Sequence, residues 1–398
     1  MHFTINKEIF NAALKNASYK YNREISSERI SEVFKTFALS AYNNKLYIAV
    51  NHSEYGVVAE CECTTISNGC AVVYDTAIQK VVNSFDANDT ITLELIASEY
   101  CNKLQLSGTG VQFKLQCCDN EQVKEFKTEL LSNTKYDCKN IFDAQELLAT
   151  LKSVVGAIST NPDRYNLNML YLETSKESGK LVLIASDGHR LLYNEATPIN
   201  KINVLPEKTS SIFLHRVQAN HIVKVLDSQI KAAKKKPVNC TLYFCTTTNS
   251  IELRVGNLLY VSKTSNVEYP NYKAIMRDNN STCVLNTKQT IKALKLLNAV
   301  YKKNGIKGAC IKTDNEGCLQ VSCINQYGDT SNQRLEYNGN AKDIHVSINP
   351  DFLMDAIKSI KSTEFTLELQ SNNSTSPINI YCASSETFKT VIMPMRIN

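Results

Sequence analysis

Apolar and polar positions along the chain follow two rhythms. Runs such as "KLYIAV", "TITLELIA", "KLQLSG", "VQFKLQ", "KLVLIAS", "CLQVSCI" and "FTLELQ" alternate apolar and polar residues. That is the period of antiparallel strands with one buried face. Between them, apolar residues recur at three- and four-residue spacing, the stripe of an amphipathic helix. Six segments share one order of strand end, capping residue and helix. They are "FTINKEIFNAAL", "AVVYDTAIQKVV", "NIFDAQELLATL", "SIFLHRVQANHIVKVL", "CVLNTKQTIKAL" and "HVSINPDFLMDAI". The cap positions are Asn6, Asp75, Asp143, His215, Asn286 and Asn349. Five are Asn or Asp, whose side-chain oxygen accepts the orphan N–H groups of a first helical turn. Pro350 stands at the next position, where a missing N–H costs nothing.

Successive caps are 69, 68, 72, 71 and 63 residues apart. Strand-like runs follow each helix, so the chain reads as six β-α-β-β-β units, an α+β architecture with antiparallel sheets. Pairing the units predicts three similar domains, 1–135, 136–279 and 280–398. The boundaries fall in "NTKYDCK" and "RDNNST", both polar and rich in turn residues.

The outer helix faces are basic. In the fifth helix Ile291, Leu294 and Leu297 form the apolar stripe and Lys288, Lys292 and Lys295 the opposite one. In the first, Ile9, Phe10, Ala13 and Leu14 are expected inside, with Lys7 and Lys15 outside. The others offer Lys80, Lys152, Lys224, Lys231, Lys358 and Lys361. Two readings fit: solvated helix faces, or a surface that meets phosphates without reading sequence. The formal charge of +5 permits an anionic partner without requiring one. Trp is absent and aromatic residues do not interleave with the basic ones, which argues against single-strand stacking.

The chain has no run of eighteen apolar residues, and "MHFTINKEIF" lacks the apolar region of a signal peptide. A cytoplasmic location is the expectation. The fourteen Cys are scattered, mostly in strand-like runs, and read as reduced, small hydrophobes. No C-x-x-C pair occurs, so neither a metal site nor a cofactor is predicted.

The most enzyme-like string is "ASDGHRLLY", residues 185–193, with Ser186, Asp187 and His189 crowded into one turn. A triad draws its members from separate parts of a fold. "SDGH" is more simply a tight turn in which Gly188 supplies an unusual backbone angle. "SGTG" lacks the Lys and helix of a phosphate loop and reads as a hairpin turn. No metalloprotease helix or nucleophile elbow is present. An enzyme is not expected, although a hydrolase using Ser186 and His189 stays open as an alternative.

These strings resemble a known family. "MHFTINKEIF", "ASDGHRLLY", "YPNYKAIM" and "VIMPMRI" are similar, in the same order, to segments of the bacterial DNA polymerase III beta subunit, the replicative sliding clamp. The resemblance implies the DNA clamp fold: antiparallel sheets outside, helices lining a ring, and two copies closed head to tail around duplex DNA. Helix lysines would then face the DNA, with Arg23 and Tyr165 added from loops. The resemblance also implies a groove for short linear peptides of the replicative polymerase, the clamp loader and repair factors. Carried over position by position, it comprises Arg164, Leu167, Ser186, Gly188, His189, Arg190, Leu191, Pro270, Ile275, Asn349, Phe352, Ser376, Val391, Met393, Pro394, Met395, Arg396 and Ile397. The chain departs from the family at Asn166, often aromatic, at Ala274, commonly Arg, and at Thr76, usually basic. A clamp-derived scaffold that forms no ring is the remaining alternative.

Overall fold

The computed structural model describes residues 1–18, 36–51, 54–97, 101–118, 138–175, 178–200, 211–234, 236–245, 249–301, 307–314, 316–382 and 385–396. Among these residues there are six α-helices. They are α1 (Lys7–Ala17), α2 (Asp75–Asn83), α3 (Ala144–Val154), α4 (Arg216–Ala232), α5 (Thr287–Asn298) and α6 (Pro350–Ser359). One strand precedes each helix and three follow it, as the six-repeat pattern predicts, and two short strands, Thr64–Ser67 and Asn338–Gly339, are added in the first and fifth repeats.

The caps show why the helices start where they do. Asn6 Oδ1 accepts from the backbone N–H of Glu8 at 2.9 Å and of Ile9 at 3.3 Å. Asp143 Oδ1 accepts from Gln145 and Glu146 at 2.8 and 2.9 Å. Asn286 and Asn349 each accept one N–H, from Gln289 at 3.1 Å and Asp351 at 2.9 Å. Each bond satisfies a donor that the helix leaves without a partner. His215 ends the strand before α4. The second cap differs from expectation: Tyr74 holds the cap position and Asp75 is the first helical residue. An acid there still favours the helix through its dipole.

Two further expectations are corrected. Ile9 is 45% exposed, because Phe10, Ala13, Leu14 and Ala17 already fill the buried face of α1. Lys361 lies beyond the end of α6, where Ile360 closes the helix.

The chain divides into two compact units. The first comprises Met1–Leu148, Pro198–Ser210 and Val217–Ser265, the second Ala149–Thr197, Ser211–Arg216 and Asn266–Asn398. The first unit has a five-stranded sheet in the order Thr64–Ser67, His2–Asn6, Thr90–Ile96, Lys103–Gly108, Val111–Gln116. Its eight-stranded sheet runs Cys138–Asp143, Asn239–Cys245, Ser250–Val255, Leu258–Lys263, Tyr55–Glu62, Lys45–Asn51, Thr36–Tyr42, Gly69–Tyr74. The second unit has a nine-stranded sheet: Ser211–His215, Met169–Thr174, Leu181–Ser186, Arg190–Ala196, Ser385–Ile392, Ile378–Cys382, Glu364–Leu369, Ser281–Asn286, Asn338–Gly339. A four-stranded sheet completes it: Thr330–Glu336, Cys318–Ile324, Ala309–Thr313, His345–Ile348.

Two kinds of pairing join the repeats. The strand before each helix pairs with the first strand after the helix of a neighbouring repeat, as His2–Asn6 does with Thr90–Ile96. Third strands after a helix make the second kind of join. Leu258–Lys263 of the fourth repeat pairs antiparallel with Tyr55–Glu62 of the first, Leu258 opposite Ala59. Arg190–Ala196 of the third pairs with Ser385–Ile392 of the sixth, Arg190 opposite Ile392. The equivalent strands of the second and fifth repeats, Val111–Gln116 and Thr330–Glu336, end their sheets among the described residues.

Candidate peptide-binding groove

In the second unit Leu191, Ile275 and Val391, three of the predicted groove residues, meet on one face of the nine-stranded sheet. Strand alternation sets that face. Ser186, Ile184 and Val182 lie opposite Leu191, Tyr193 and Glu195, and Leu191 and Tyr193 lie opposite Val391 and Lys389. Residues of the 269–276 stretch cover part of it: Tyr269, Tyr272, Ile275 and Met276 pack on Val182, Ile184, Leu191, Val391, Tyr171 and Tyr193.

The turn at 186–190 rises beside this bed. Gly188 takes φ +86°, a left-handed angle that suits glycine. Ser186 Oγ donates to the Arg190 carbonyl at 2.8 Å and accepts from Gly188 N at 3.1 Å. Asp187 Oδ1 accepts from His189 N and Arg190 N, both at 3.0 Å. The Ser186 hydroxyl is buried and its proton goes to a carbonyl, not to His189. This is turn chemistry, and a nucleophile's arrangement is missing from it.

Arg190 ties the turn to its surroundings. Its guanidinium donates to Asp187 Oδ2 at 3.1 Å, Asp355 Oδ2 at 2.9 Å and the Gly156 carbonyl at 2.9 Å. Its carbon lies 4.5 Å from the centre of the Phe352 ring. Arg164 Nη1 donates to the Asp187 carbonyl at 2.7 Å. The C-terminal segment is held by backbone bonds: Met393 N donates to His189 O and Met395 N to Ser347 O, both at 2.8 Å. Met393 is 38% exposed, His189 and Arg396 are exposed, and Pro394 and Met395 are half-buried.

The profile of the DNA polymerase III beta subunit, C-terminal domain, matches residues 273–396. A beta sliding clamp of Rickettsia bellii is 24% identical over 310 residues, covering 74% of this chain and 75% of that protein. The fold of a DNA polymerase sliding clamp from Pseudomonas aeruginosa, solved with a ligand, superposes with a TM-score of 0.83 at 17% identity, over 100% of both chains. One from Bacillus subtilis gives 0.83 at 15% identity, again over 100% of both. The C-terminal match, the relatives and the shared fold together support a divergent beta clamp. Its fold is the α+β clamp fold.

Within that fold, the residues expected in the groove differ in exposure. Leu167, Ser186, Leu191 and Val391 are buried, Val391 to 1% exposure. Gly188, His189, Pro270, Met393 and Arg396 are exposed, and Arg164, Arg190, Ile275, Phe352, Ser376, Pro394 and Met395 are half-buried. Asn349 spends its side-chain oxygen on the α6 cap. Ile397 lies outside the described residues.

The lysines expected to face DNA are exposed at Lys15, Lys80, Lys152, Lys224, Lys231, Lys288, Lys292, Lys295, Lys358 and Lys361, and half-exposed at Lys7. Tyr165 is 68% exposed. Lys231 is paired with Asp227 at 2.5 Å. Arg23 lies outside the described residues. Sequence reasoning missed Asp355 and Gly156, which hold Arg190, and Glu173, which accepts hydroxyls from Tyr171 at 2.6 Å and from Tyr272. Burial, and then the Glu173 carboxylate, push the Tyr171 and Tyr272 hydroxyls above the usual tyrosine range.

Proposed function

We propose that this chain is a DNA sliding clamp: two copies close head to tail into a ring around duplex DNA and tether a replicative polymerase for processive synthesis. It has no reaction of its own and works in the cytoplasm, with three domains at 1–135, 136–279 and 280–398. The observation that carries the ring is the pair of third strands that, among the described residues, end their sheets. Third strands join repeats one to four and three to six within the chain. Repeats two and five are left with Val111–Gln116 and Thr330–Glu336, one in each unit. Joining these between copies satisfies both edges by the rule the chain already follows. A heterologous contact of this kind closes a ring when the rotation allows it.

The exposed helix lysines suit sequence-independent contact with phosphates, which holds DNA without arresting it. The 186–190 turn, the 269–276 segment and Met393–Arg396 form the groove for short client peptides of the polymerase, the clamp loader and repair factors. Methionine suits a surface that accepts several peptides, because its side chain repacks easily. The deciding experiment loads the chain, with a clamp loader, onto nicked circular DNA and then linearises the circle. Retention on the circle and loss after cutting is the expected result. Equal retention on both would leave only basic surface binding.

A further inference from the structure

Glu173 lies outside the groove, yet its carboxylate reaches a groove wall. It projects from the strand Met169–Thr174 on the same face as Tyr171, two residues before it. Tyr171 donates its hydroxyl to Oε2 at 2.6 Å, and Tyr272 donates to Oε1. The two bonds differ in reach. Tyr171 is a neighbour on the same strand, whereas Tyr272 is 99 residues away on the segment that covers the sheet.

That segment has few other ties near the groove. Upstream, Tyr269 packs its ring against Tyr171 at 5.3 Å and Phe213 at 6.2 Å. Downstream, the Arg277 carbonyl accepts from Asn379 Nδ2 at 2.6 Å. Between them the chain makes a short 3-10 turn at Tyr272–Ala274. Ile275 N and Met276 N both donate to the Tyr272 carbonyl, at 3.0 and 3.2 Å. Ile275 is thus placed by the backbone of Tyr272, and Tyr272 is placed by its buried ring, 5.7 Å from that of Tyr171, together with its hydroxyl. Flanking residues offer nothing equivalent: Asn271, Lys273 and Ala274 are exposed.

We propose that Glu173 is a positioning residue for peptide capture: by fixing Tyr272 it sets where Ile275 stands on the groove wall, without touching the peptide. This inference rests on the groove reading above. The chemistry favours a carboxylate in this place. It is acceptor-only and offers each tyrosine its own oxygen, and charge-assisted O–H···O bonds are the stronger kind. Burial keeps both hydroxyls protonated, so both remain donors. Loss of the tie would let the 3-10 turn shift while the tyrosine ring stays packed.

The test is a fluorescence-polarisation titration of a labelled pentapeptide with leucine and phenylalanine anchors against the full chain. Tyr272→Phe removes one oxygen and keeps the ring. It is expected to weaken binding about fivefold, the worth of one net hydrogen bond. Tyr171→Phe removes a bond to the same carboxylate but keeps the ring that packs on Tyr269 and Tyr272, and should bind within about twofold of the parent. Adding Glu173→Gln to Tyr272→Phe should produce no further loss, because both changes break one link. Parental affinity in Tyr272→Phe, an equal loss in Tyr171→Phe, or additive losses in the double variant would overturn the inference. Met393→Ala separates the two levels. If it too binds like the parent, the groove reading fails and this inference falls with it. If only the Tyr272 and Glu173 variants bind like the parent, the inference alone is wrong.

Discussion

Gly188 shows what one residue does at the site. A Cβ built there would overlap Arg164 Nη1, the group that donates to the Asp187 carbonyl, and the φ of +86° disfavours any side chain. Gly188→Ala is expected to cost about 1–3 kcal/mol, the usual penalty for a strained backbone position. Urea unfolding checks it, and a midpoint equal to the parent's would mean that the turn relaxes freely. The tyrosines of the sheet face make a second prediction. Tyr171, Tyr269 and Tyr272 are held above the usual range, first by burial. The unfolded chain releases these protons near pH 10, whereas the folded chain keeps them. Their contribution to stability is therefore complete below about pH 10 and declines as pH rises further. Urea midpoints should hold up to about pH 10 and fall above it, and the fall should be shallower in Tyr272→Phe. A pH-independent midpoint would contradict it. The glycine turn was legible in "SDGH" because turn chemistry is local. The engagement of Arg190 with Asp355 was not, since 165 residues separate them.

At the scale of elements, helix starts were readable because a cap needs only its own next three residues. The miss at Asp75 is a single position, and Ile9 was misplaced because periodicity marks a stripe without fixing its width. The lysines need separating by place. Lys15, Lys80, Lys152, Lys231, Lys295 and Lys358 lie in last turns, where the helix dipole favours a cation by about 0.3–1 kcal/mol. Helix stability alone could account for these. It cannot account for Lys7 and Lys288, which occupy first turns where the dipole disfavours a cation. Those two, with Lys224 and Lys292 in helix interiors, carry the case for phosphate contact. Lys288→Ala with Lys292→Ala should lower the slope of log K against log salt by about 2, as two phosphate contacts are lost. Stability should stay within about 0.5 kcal/mol of the parent. Binding to a short duplex at a series of salt concentrations measures the slope. An unchanged slope would assign both side chains to solvent.

At the scale of the molecule, the sheet joins were the part sequence could not give. Alternation says that a strand has a buried face, but the pairing of Leu258 with Ala59 is a contact between distant parts of the chain. Once seen twice, the join becomes a rule, and the rule locates the proposed ring closure at Val111–Gln116. The geometry of that strand permits a sharp test. Gly108 and Val111 face each other across the two-residue turn Thr109–Gly110, and Cys117 N donates inward to the Asn102 carbonyl at 2.9 Å. Inward and outward N–H groups alternate along an antiparallel edge strand. The N–H groups of Val111, Phe113 and Leu115 therefore point into the sheet, and those of Gln112, Lys114 and Gln116 point out. Lys114→Pro removes one outward donor and no internal bond, which an edge strand tolerates. The variant should keep its fold by circular dichroism. It should sediment as a single chain at concentrations where the parent sediments as two, and it should leave circular DNA as readily as linear DNA. A variant that still pairs and still holds the circle would place the closure elsewhere on the molecule.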